Sequence, residues 1–320
     1  MLEKEVNWDL FTDDCITKQW GDEPCMSCEN LWFCHENPDY GYDFDVRHCY
    51  SIYPFKYPQE TIKEGVDYVP FEVTRHNRHL IGYGVKNKDS RYYEDSPTFE
   101  QIIPDTFKHN DTDYLITSIG EDGFFHCDEL CVVSIPHTVE KMERDSFNEC
   151  YHLEVIYIGK GLRYFNARFL ECPELVKIKV HPDNPYFCDV DGVLFSKDMK
   201  VLIRYPEGKK GEEYEIPESV EEIASFAFYG NRYLKRIKMS DNVRIIRESV
   251  FRCTKQLYYL ELSKNLEVLD VDVFLNHLDN LKEIHYRGTK EKGSILFKDV
   301  DLTLGFWYKG EKINILYIEQ

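Results

Sequence analysis

Apolar positions recur along the chain with a period of about 23 residues. A small residue or Val precedes a Phe in most copies, Arg168 precedes it in one looser copy, and a Leu follows six or seven residues later. The Phe residues are at positions 124, 147, 169, 228, 251 and 274, with spacings of 23, 22, 59, 23 and 23. A second apolar series, from Ile223 to Ile246 to Leu269, keeps the same interval. Two residue classes with one period indicate a repeat protein.

Each repeat combines a strand pattern with a turn pattern. The consensus is Ile-Gly-x-x-small-Phe-x-x-Cys-x-x-Leu-x-x-Ile-x-Ile-Pro-x-x-Val, and the copy that begins at Ile119 is nearly complete. The Leu-x-x-Ile-x-Ile part ends in the period-two alternation of a half-buried strand, and the Phe-x-x-Cys part fits a short helical turn. One coil cannot bury its own apolar side, so stacked coils must share a core. The pattern therefore predicts a solenoid that is mainly β with short helical turns.

The long gap between Phe169 and Phe228 equals two repeats plus 13 residues. Within it, residues 192–195 and 201–206 are apolar-rich and flank a polar stretch, which predicts a β-hairpin insertion at about 184–206. We expect the solenoid to resume at Tyr214. Pro136 and Pro217 follow strands, where the missing N–H ends pairing.

The ends of the chain differ from the repeats. Residues 1–65 hold 14 acidic and five basic residues, three of the four Trp and five Cys, and they lack the repeat. We predict an acidic, Cys- and aromatic-rich N-terminal module or cap at 1–65. The solenoid follows at 66–289, with a first strand near 66–73 and a degenerate first rung at 102–104. A C-terminal cap is predicted at 290–320, because solenoid ends must be covered.

The repeat and the segment HPDNPYFCDVDGVLFSKDMKVLIRYPEG resemble the BspA-like leucine-rich repeats of bacterial proteins and their hairpin insertion. The resemblance covers about residues 66–289. It implies a right-handed leucine-rich-repeat solenoid that serves in binding, often in adhesion at a cell surface, and that has no catalytic apparatus. It also implies that the protein is not an enzyme.

Charge and hydropathy exclude other classes of protein. The chain carries 39 Lys and Arg against 58 Asp and Glu, a net charge of −19, which disfavours binding to nucleic acid. No stretch approaches the ~18–20 apolar residues of a membrane span. The start, MLEKEVNWDLFTDD, has no basic or apolar region typical of a signal peptide, which favours a cytoplasmic location, although the family is often secreted or on the cell surface.

The N-terminal cysteines are the only metal-like pattern. A Cys-x-x-Cys pair presents two thiolates at a spacing that suits zinc. The candidate ligands are Cys25, Cys28, Cys34 and Cys49, with His35 and His48 beside them. The alternatives are packed thiols among aromatic residues or, in an exported protein, a Cys15–Cys49 disulfide. Apart from this zinc hypothesis we expect no cofactor.

Three further cysteines, Cys127, Cys150 and Cys172, occupy one repeat position. A ladder of redox-active thiols is one interpretation. We favour buried small hydrophobic side chains, because free Cys packs well in protein interiors.

The outward face of the strands is the candidate binding surface. Residues that flank the central Ile of each strand point away from the core. Val132, Ser134, Val155 and Tyr157 are therefore expected to be exposed on the first two rungs. Two later rungs carry basic residues, with Glu213 and Glu215 on the rung between them. These basic residues are Lys177, Lys179, Arg236 and Lys238.

Two arrangements of this face are open. If the glutamates neutralise the cations across strands, Tyr157 and Tyr259 are the better anchors for a partner. If the hairpin displaces the glutamate rung, four unpaired cations attract a carboxylate-rich protein or an anionic glycan.

We therefore predict a non-enzymatic scaffold that binds a protein or glycan ligand on its strand face. The alternative is a metal-binding, possibly catalytic, N-terminal module carried by the solenoid. A third hypothesis is self-assembly through the solenoid ends.

Overall fold

The computed structural model describes residues 62–81, 99–127, 130–274, 278, 280–300, 302 and 312–318. Over these residues the chain forms stacked coils whose strands make up a front face and a back face of paired sheets. The predicted solenoid is thereby confirmed. Residues 1–61, which include all five cysteines of the predicted N-terminal module, lie outside the described residues. The predictions for this module therefore remain predictions.

The front strands form two parallel sheets, in the orders β2-β5-β7-β9 and β13-β15-β17-β19-β20. Their bounds are β2 Phe99–Ile102, β5 Leu130–Ile135, β7 Val155–Ile158, β9 Lys177–Val180, β13 Glu213–Glu215, β15 Arg236–Lys238, β17 Tyr259–Leu262, β19 Glu283–Tyr286 and β20 Asn314–Tyr317.

The back sheets have the orders β1-β4-β6-β8, with β3 paired to β4, and β10-β11-β12-β14-β16-β18. Their bounds are β1 Val69–Val73, β3 Thr106–His109, β4 Thr112–Ile119, β6 Lys141–Met142, β8 Tyr164–Phe165, β10 Phe187–Val190, β11 Val193–Ser196, β12 Val201–Arg204, β14 Glu222–Ile223, β16 Ile245–Ile246 and β18 Val268–Leu269. A 3-10 turn at Arg78–Ile81 and helix α1 at Lys290–Leu296 complete the described elements.

The strand register equals the sequence period. Val133 lies opposite Ile156 in the β5–β7 pair, and Ile237 lies opposite Leu260 in the β15–β17 pair. Because each shift is one repeat, equivalent side chains stack directly on one another. All four of these residues are fully buried.

Aromatic rings form a ladder through the core. The Phe124 and Phe147 rings stack with centroids 5.0 Å apart, and Phe147 stacks on Phe169 at 5.8 Å. Past the insertion, Phe251 stacks on Phe228 at 5.8 Å and on Phe274 at 6.0 Å. Offset stacking of buried rings adds to the burial of their apolar area.

Sequence reasoning missed one rung of this ladder. Tyr205 lies 23 residues before Phe228, and their rings stack at 5.4 Å. The Tyr205 N–H donates to the Ala227 carbonyl at 2.7 Å, as the Phe228 N–H donates to the Val250 carbonyl at 3.0 Å. The coil therefore resumes at β12, before the predicted restart at Tyr214. The inserted hairpin is confirmed, and β12, its last strand, is also a rung of the back sheet.

The turns between the two faces carry Phe and Cys inward, as predicted. Most are tight turns rather than regular helices, because they contain a residue with positive φ, such as Asp122 at 57° and Asp145 at 61°. In the left-handed region an i→i−4 helical ladder does not continue.

In several coils the residue three positions after the Phe also makes a hydrogen bond. The thiols of Cys150 and Cys172 donate to the carbonyls of Phe124 and Phe147, both at 3.1 Å. The Thr254 hydroxyl makes the same bond to Phe228 at 3.2 Å. These cysteines are buried and free, and each satisfies a main-chain carbonyl of the preceding coil in addition to filling space.

Charged side chains pair between neighbouring coils at the repeat spacing. A residue of one sign meets a residue of the opposite sign 23 positions later, on the next rung. Examples are Glu121–Arg144, Glu140–Arg163, Glu212–Lys235, Asp241–Lys264 and Arg244–Glu267. Each exposed pair contributes only ~0–1 kcal/mol, and a shifted register would lose the whole set of pairs at once.

Arg204 joins the two coils that the insertion separates. It is buried where the repeat places a small residue, and it donates to the main-chain carbonyls of Phe169 at 2.9 Å, Tyr229 at 3.4 Å and Phe226. Nearby, the Glu207 carboxylate accepts a hydrogen bond from the Cys172 N–H at 3.0 Å. Both side chains satisfy main-chain groups of the coil before the insertion, which links the two halves of the solenoid.

We expect Phe147→Ala to lower the free energy of unfolding by ~3–5 kcal/mol, because it empties a fully buried position between two stacked rings. Urea unfolding measures the loss. Tyr164→Ala, at an exposed site on β8, is the control and should cost far less. A loss below ~1 kcal/mol for Phe147→Ala would contradict the stacked register.

Burial raises the pKa of Glu207 from its ordinary 4.5 to about 7, an effect that Arg204 opposes and that Glu171 and Arg232 modify. The folded state thus holds this proton more tightly than the unfolded state. The resulting stability is present below pH 4.5 and is lost as pH rises through 7, by up to ~3 kcal/mol.

Glu207→Gln keeps an acceptor for the Cys172 N–H and removes the titration. We expect the variant to gain stability relative to the wild type between pH 4.5 and 8, measured by urea unfolding of both proteins. Parallel pH profiles would show that Glu207 does not titrate with a raised pKa.

Candidate binding surface

The outward face of the first rungs is covered. Val132, Ser134 and Val155 have exposed fractions of only 5%, 1% and 2%, and Tyr157 is half-buried. The expectation that Val132, Ser134 and Val155 are exposed is therefore wrong, whereas Tyr157 remains partly exposed. Period-two alternation sets which way a side chain points, but it does not set how exposed that side chain is.

The inserted hairpin lies against β9, and its Asp189 interacts with β9. The Ile178 N–H donates to the Gly192 carbonyl at 3.0 Å, and the Val180 N–H donates to Asp189 at 2.8 Å. Asp189 also pairs with Lys179 at 2.9 Å. Gly192 has a φ of 76° and approaches Lys177 so closely that a Cβ would lie 3.1 Å from its Cα.

Lys177 is the least compensated of the four predicted basic residues. It is half-exposed on β9 and makes no ion pair with the described residues. Burial, with a smaller effect of the neighbouring Lys179 charge, lowers the pKa of Lys177. The β9 pair Lys177 and Lys179 also lies in a different sheet from Arg236 and Lys238.

The glutamate rung neutralises the second basic rung. Strand β13 pairs with β15 so that Glu213 lies opposite Arg236 and Glu215 opposite Lys238. The side chains meet at 3.3 Å and 3.5 Å. The hairpin separates β9 from β13, but the four basic residues do not form an unpaired cluster. Asp189 of the hairpin pairs with Lys179, and β13 remains paired with β15, so that Glu213 and Glu215 meet Arg236 and Lys238.

An aromatic cluster occupies the centre of the C-terminal front sheet. The guanidinium carbon of Arg236, on β15, lies 4.0 Å from the ring centroid of Tyr259 on β17. The ring centroid of His285, on β19 at the opposite side of β17, lies 4.5 Å from that of Tyr259. The Tyr259 hydroxyl donates to Glu261 at 2.7 Å. The neighbouring Tyr258 is 48% exposed. We call Arg236, Tyr258, Tyr259, Glu261 and His285 the Tyr259 patch.

Fixed interactions hold this patch in one arrangement. Burial and the hydrogen bond to Glu261 raise the pKa of Tyr259, so its hydroxyl remains a donor at neutral pH. The other side of Glu261 pairs with Arg287 at 3.2 Å, and Arg287 pairs with Asp241 at 2.9 Å. Side chains held by such networks lose little rotamer entropy when a partner binds.

Alternation predicted Tyr259 but gave no reason to prefer His285, which became part of the site only through the β17–β19 register. Tyr258 lies just before β17, outside the alternating pattern, and its exposure could not be predicted from the repeat.

The metal hypothesis concerns Cys25, Cys28, Cys34 and Cys49, which lie outside the described residues. Within the described ranges, no group of three or more His, Cys, Asp and Glu side chains is arranged to hold a metal ion. None of the helices in that part of the chain has the length and apolar character needed to cross a bilayer.

The repeat period, the parallel rungs and the inserted hairpin agree with a comparison to known families. A family model described as BspA type leucine-rich repeat region matches residues 99–189 and 207–303, in six copies. The chain belongs to the BspA-type leucine-rich repeat family. The interval between the two matched segments falls within the inserted β11–β12 region and its exit, where the leucine-rich repeat is interrupted.

Solved structures with similar folds are bacterial leucine-rich repeat proteins. A leucine-rich repeat protein from Eubacterium ventriosum is 20% identical, with a TM-score of 0.42 over 54% of this chain and 58% of that one. A leucine-rich cell surface protein from Faecalibacterium prausnitzii is 16% identical, with a TM-score of 0.31 over 69% and 88%. The pneumococcal vaccine antigen PcpA is 17% identical, with a TM-score of 0.28 over 72% and 91%.

The chain spans less than two thirds of the length of the Eubacterium protein. At these identities the likeness concerns the fold alone. A search of the curated proteins finds no relative of this chain.

Proposed function

We propose that this leucine-rich repeat protein is a non-enzymatic scaffold that binds a protein ligand at the Tyr259 patch. The observation that supports it is the grouping of Tyr258, Tyr259, Arg236 and His285 on the outward side of the C-terminal front sheet. Tyr and Arg are enriched among the residues that dominate protein–protein binding energy.

The charges around the patch favour a protein over an anionic glycan. Arg236 and Lys238 already pair with Glu213 and Glu215, so a polyanion would have to displace these carboxylates. Glu213, Glu215 and Glu283 are exposed along the same face and would repel sulfate or carboxylate groups of a glycan. An aromatic centre with a polar, charged rim is instead the usual composition of a protein interface.

The rigid sheet supports this role. Four of the five patch residues lie on β15, β17 and β19, which pair with one another through consecutive registers, and Tyr258 directly precedes β17. Binding groups on regular elements are held more precisely than groups on loops. Tyr157, Lys177 and Lys179 all lie in the other front sheet, so they are secondary candidates for ligand contact.

A phage-displayed random peptide library is a suitable probe, because selected peptides converge on surfaces suited to binding proteins. We expect peptides selected on the wild type to lose at least ~10-fold in affinity for Tyr259→Ala, or about 1.4 kcal/mol. Biolayer interferometry with synthetic peptides measures the affinities. Tyr164→Ala, at an exposed site on the back sheet, is the matched control and should bind like the wild type.

Thermal unfolding of each variant shows that the fold is retained. Peptides that bind Tyr259→Ala and Tyr258→Ala as tightly as the wild type would overturn the proposal. Peptides that lose affinity for the Tyr164→Ala control instead would place the binding surface on the back sheet.

A further inference from the structure

The back sheet is interrupted where the hairpin enters. Strand β8 ends one back sheet and β12 belongs to the next, and no pairing joins them. A groove of about 320 Å³ opens at this point, next to Phe165, Arg168, Ile203, Arg204 and Phe226. We call it the junction groove. Its volume falls within the ~300–1,000 Å³ of small-ligand sites.

Two consecutive coils beside this groove depart from the repeat consensus at the position before the aromatic residue. The residue before each ring of the ladder is small or Val elsewhere, but it is Arg168 before Phe169 and Arg204 before Tyr205. The equivalent residues in the other coils are Gly123, Ser146, Ala227, Val250 and Val273. Arg204 bridges the two coils through main-chain carbonyls, whereas the half-buried Arg168 makes no such bridge among the described residues.

Arg204 holds a positive charge beneath the groove. It is only 2% exposed, and its described hydrogen bonds all go to main-chain carbonyls. Its Nε is buried and has no hydrogen-bond partner among the described residues. Glu207 is the nearby acid, and burial raises its pKa to about 7, so it is only partly ionised at neutral pH. A buried cation in a low dielectric attracts an anion more strongly than an exposed one.

Arg168 presents the accessible cation. Its guanidinium carbon lies 4.6 Å from the ring centroid of Phe226, and it makes no ion pair with the described residues. Arg247, also in the lining, is paired with Glu222 at 2.7 Å. The lining holds three arginines, Arg168, Arg204 and Arg247, and two acids, Glu222 and Glu248. Its charged side chains therefore carry one excess positive charge.

We propose that the junction groove binds the carboxylate of an apolar acid, with Arg168 as the direct contact. A guanidinium offers two parallel N–H donors that match a carboxylate. One excess positive charge matches a monoanion better than a dianion. Phe165, Ile203 and Phe226 provide apolar wall for a side chain next to that carboxylate. The ligand is a free apolar acid or the C-terminal end of a peptide.

N-Acetyl-phenylalanine and N-acetyl-phenylalaninamide are matched probes that differ only in the charged carboxylate. Isothermal titration calorimetry or NMR chemical-shift titration at constant ionic strength measures their affinities. We expect the acid to bind at least ~10-fold more tightly than the amide, because the amide lacks the charge-assisted hydrogen bonds. A pentapeptide ending in Phe tests the second source, and tighter binding than the single residue assigns the site to chain ends.

We expect Arg168→Gln to weaken binding of the acid at least ~10-fold, and Arg168→Lys, which keeps the charge but loses the fork, to weaken it less. Arg144→Gln removes an exposed arginine that is paired with Glu121 outside the groove, and it should have no effect. Thermal unfolding checks that each variant is folded.

Three results would overturn the proposal. The first is that the acid and the amide bind alike or do not bind. The second is that Arg168→Gln leaves the affinity for the acid unchanged. The third is that inorganic phosphate at the same ionic strength displaces the acid with equal affinity. The last result would make the groove a general anion site rather than a carboxylate site.

Discussion

Stacking between coils in one register is the interaction on which the rest of this structure depends. A coil of about 23 residues has too little apolar surface to bury alone, so its Phe, Leu and Ile side chains are buried only against the same positions of its neighbours. The two ring stacks, Phe124 to Phe169 and Tyr205 to Phe274, the parallel rungs and the ion pairs at the repeat spacing all follow from that register. Surface features gain their positions from it as well. Tyr259 meets Arg236 and His285 only because three consecutive rungs are aligned.

The insertion tests this constraint, since it adds residues between two coils that must still stack. The chain responds by placing Tyr205 in the ring ladder and Arg204 across the carbonyls of Phe169, Tyr229 and Phe226. The insertion also makes the two halves of the solenoid different. It separates two front sheets with different surfaces, brings Asp189 to Lys179, and opens a groove in the back sheet.

The sequence predicts the periodic part of the molecule and little of the rest. Phe, Ile and Leu spacings predicted the rungs, the hairpin and the outward position of Tyr259, because period and alternation are local properties. Tyr205 was missed because it replaces the Phe that marks a rung and because Arg204 replaces the small residue before it. The burial of Val132 and Ser134 does not follow from the repeat pattern, and the pairing of Lys179 with Asp189 depends on the inserted hairpin lying beside β9. No spacing rule encodes such contacts.

Native-state hydrogen exchange tests most directly whether one register runs through the insertion. The N–H groups of Phe124, Tyr205 and Phe228 each donate to the next coil, one before, one at and one after the junction. If the coils form one stacked unit, their opening free energies agree within ~1 kcal/mol and match that of global unfolding. Two results would contradict a continuous solenoid. One is an opening free energy at the Tyr205 amide several kcal/mol below those at Phe124 and Phe228, and the other is a different opening free energy for each half.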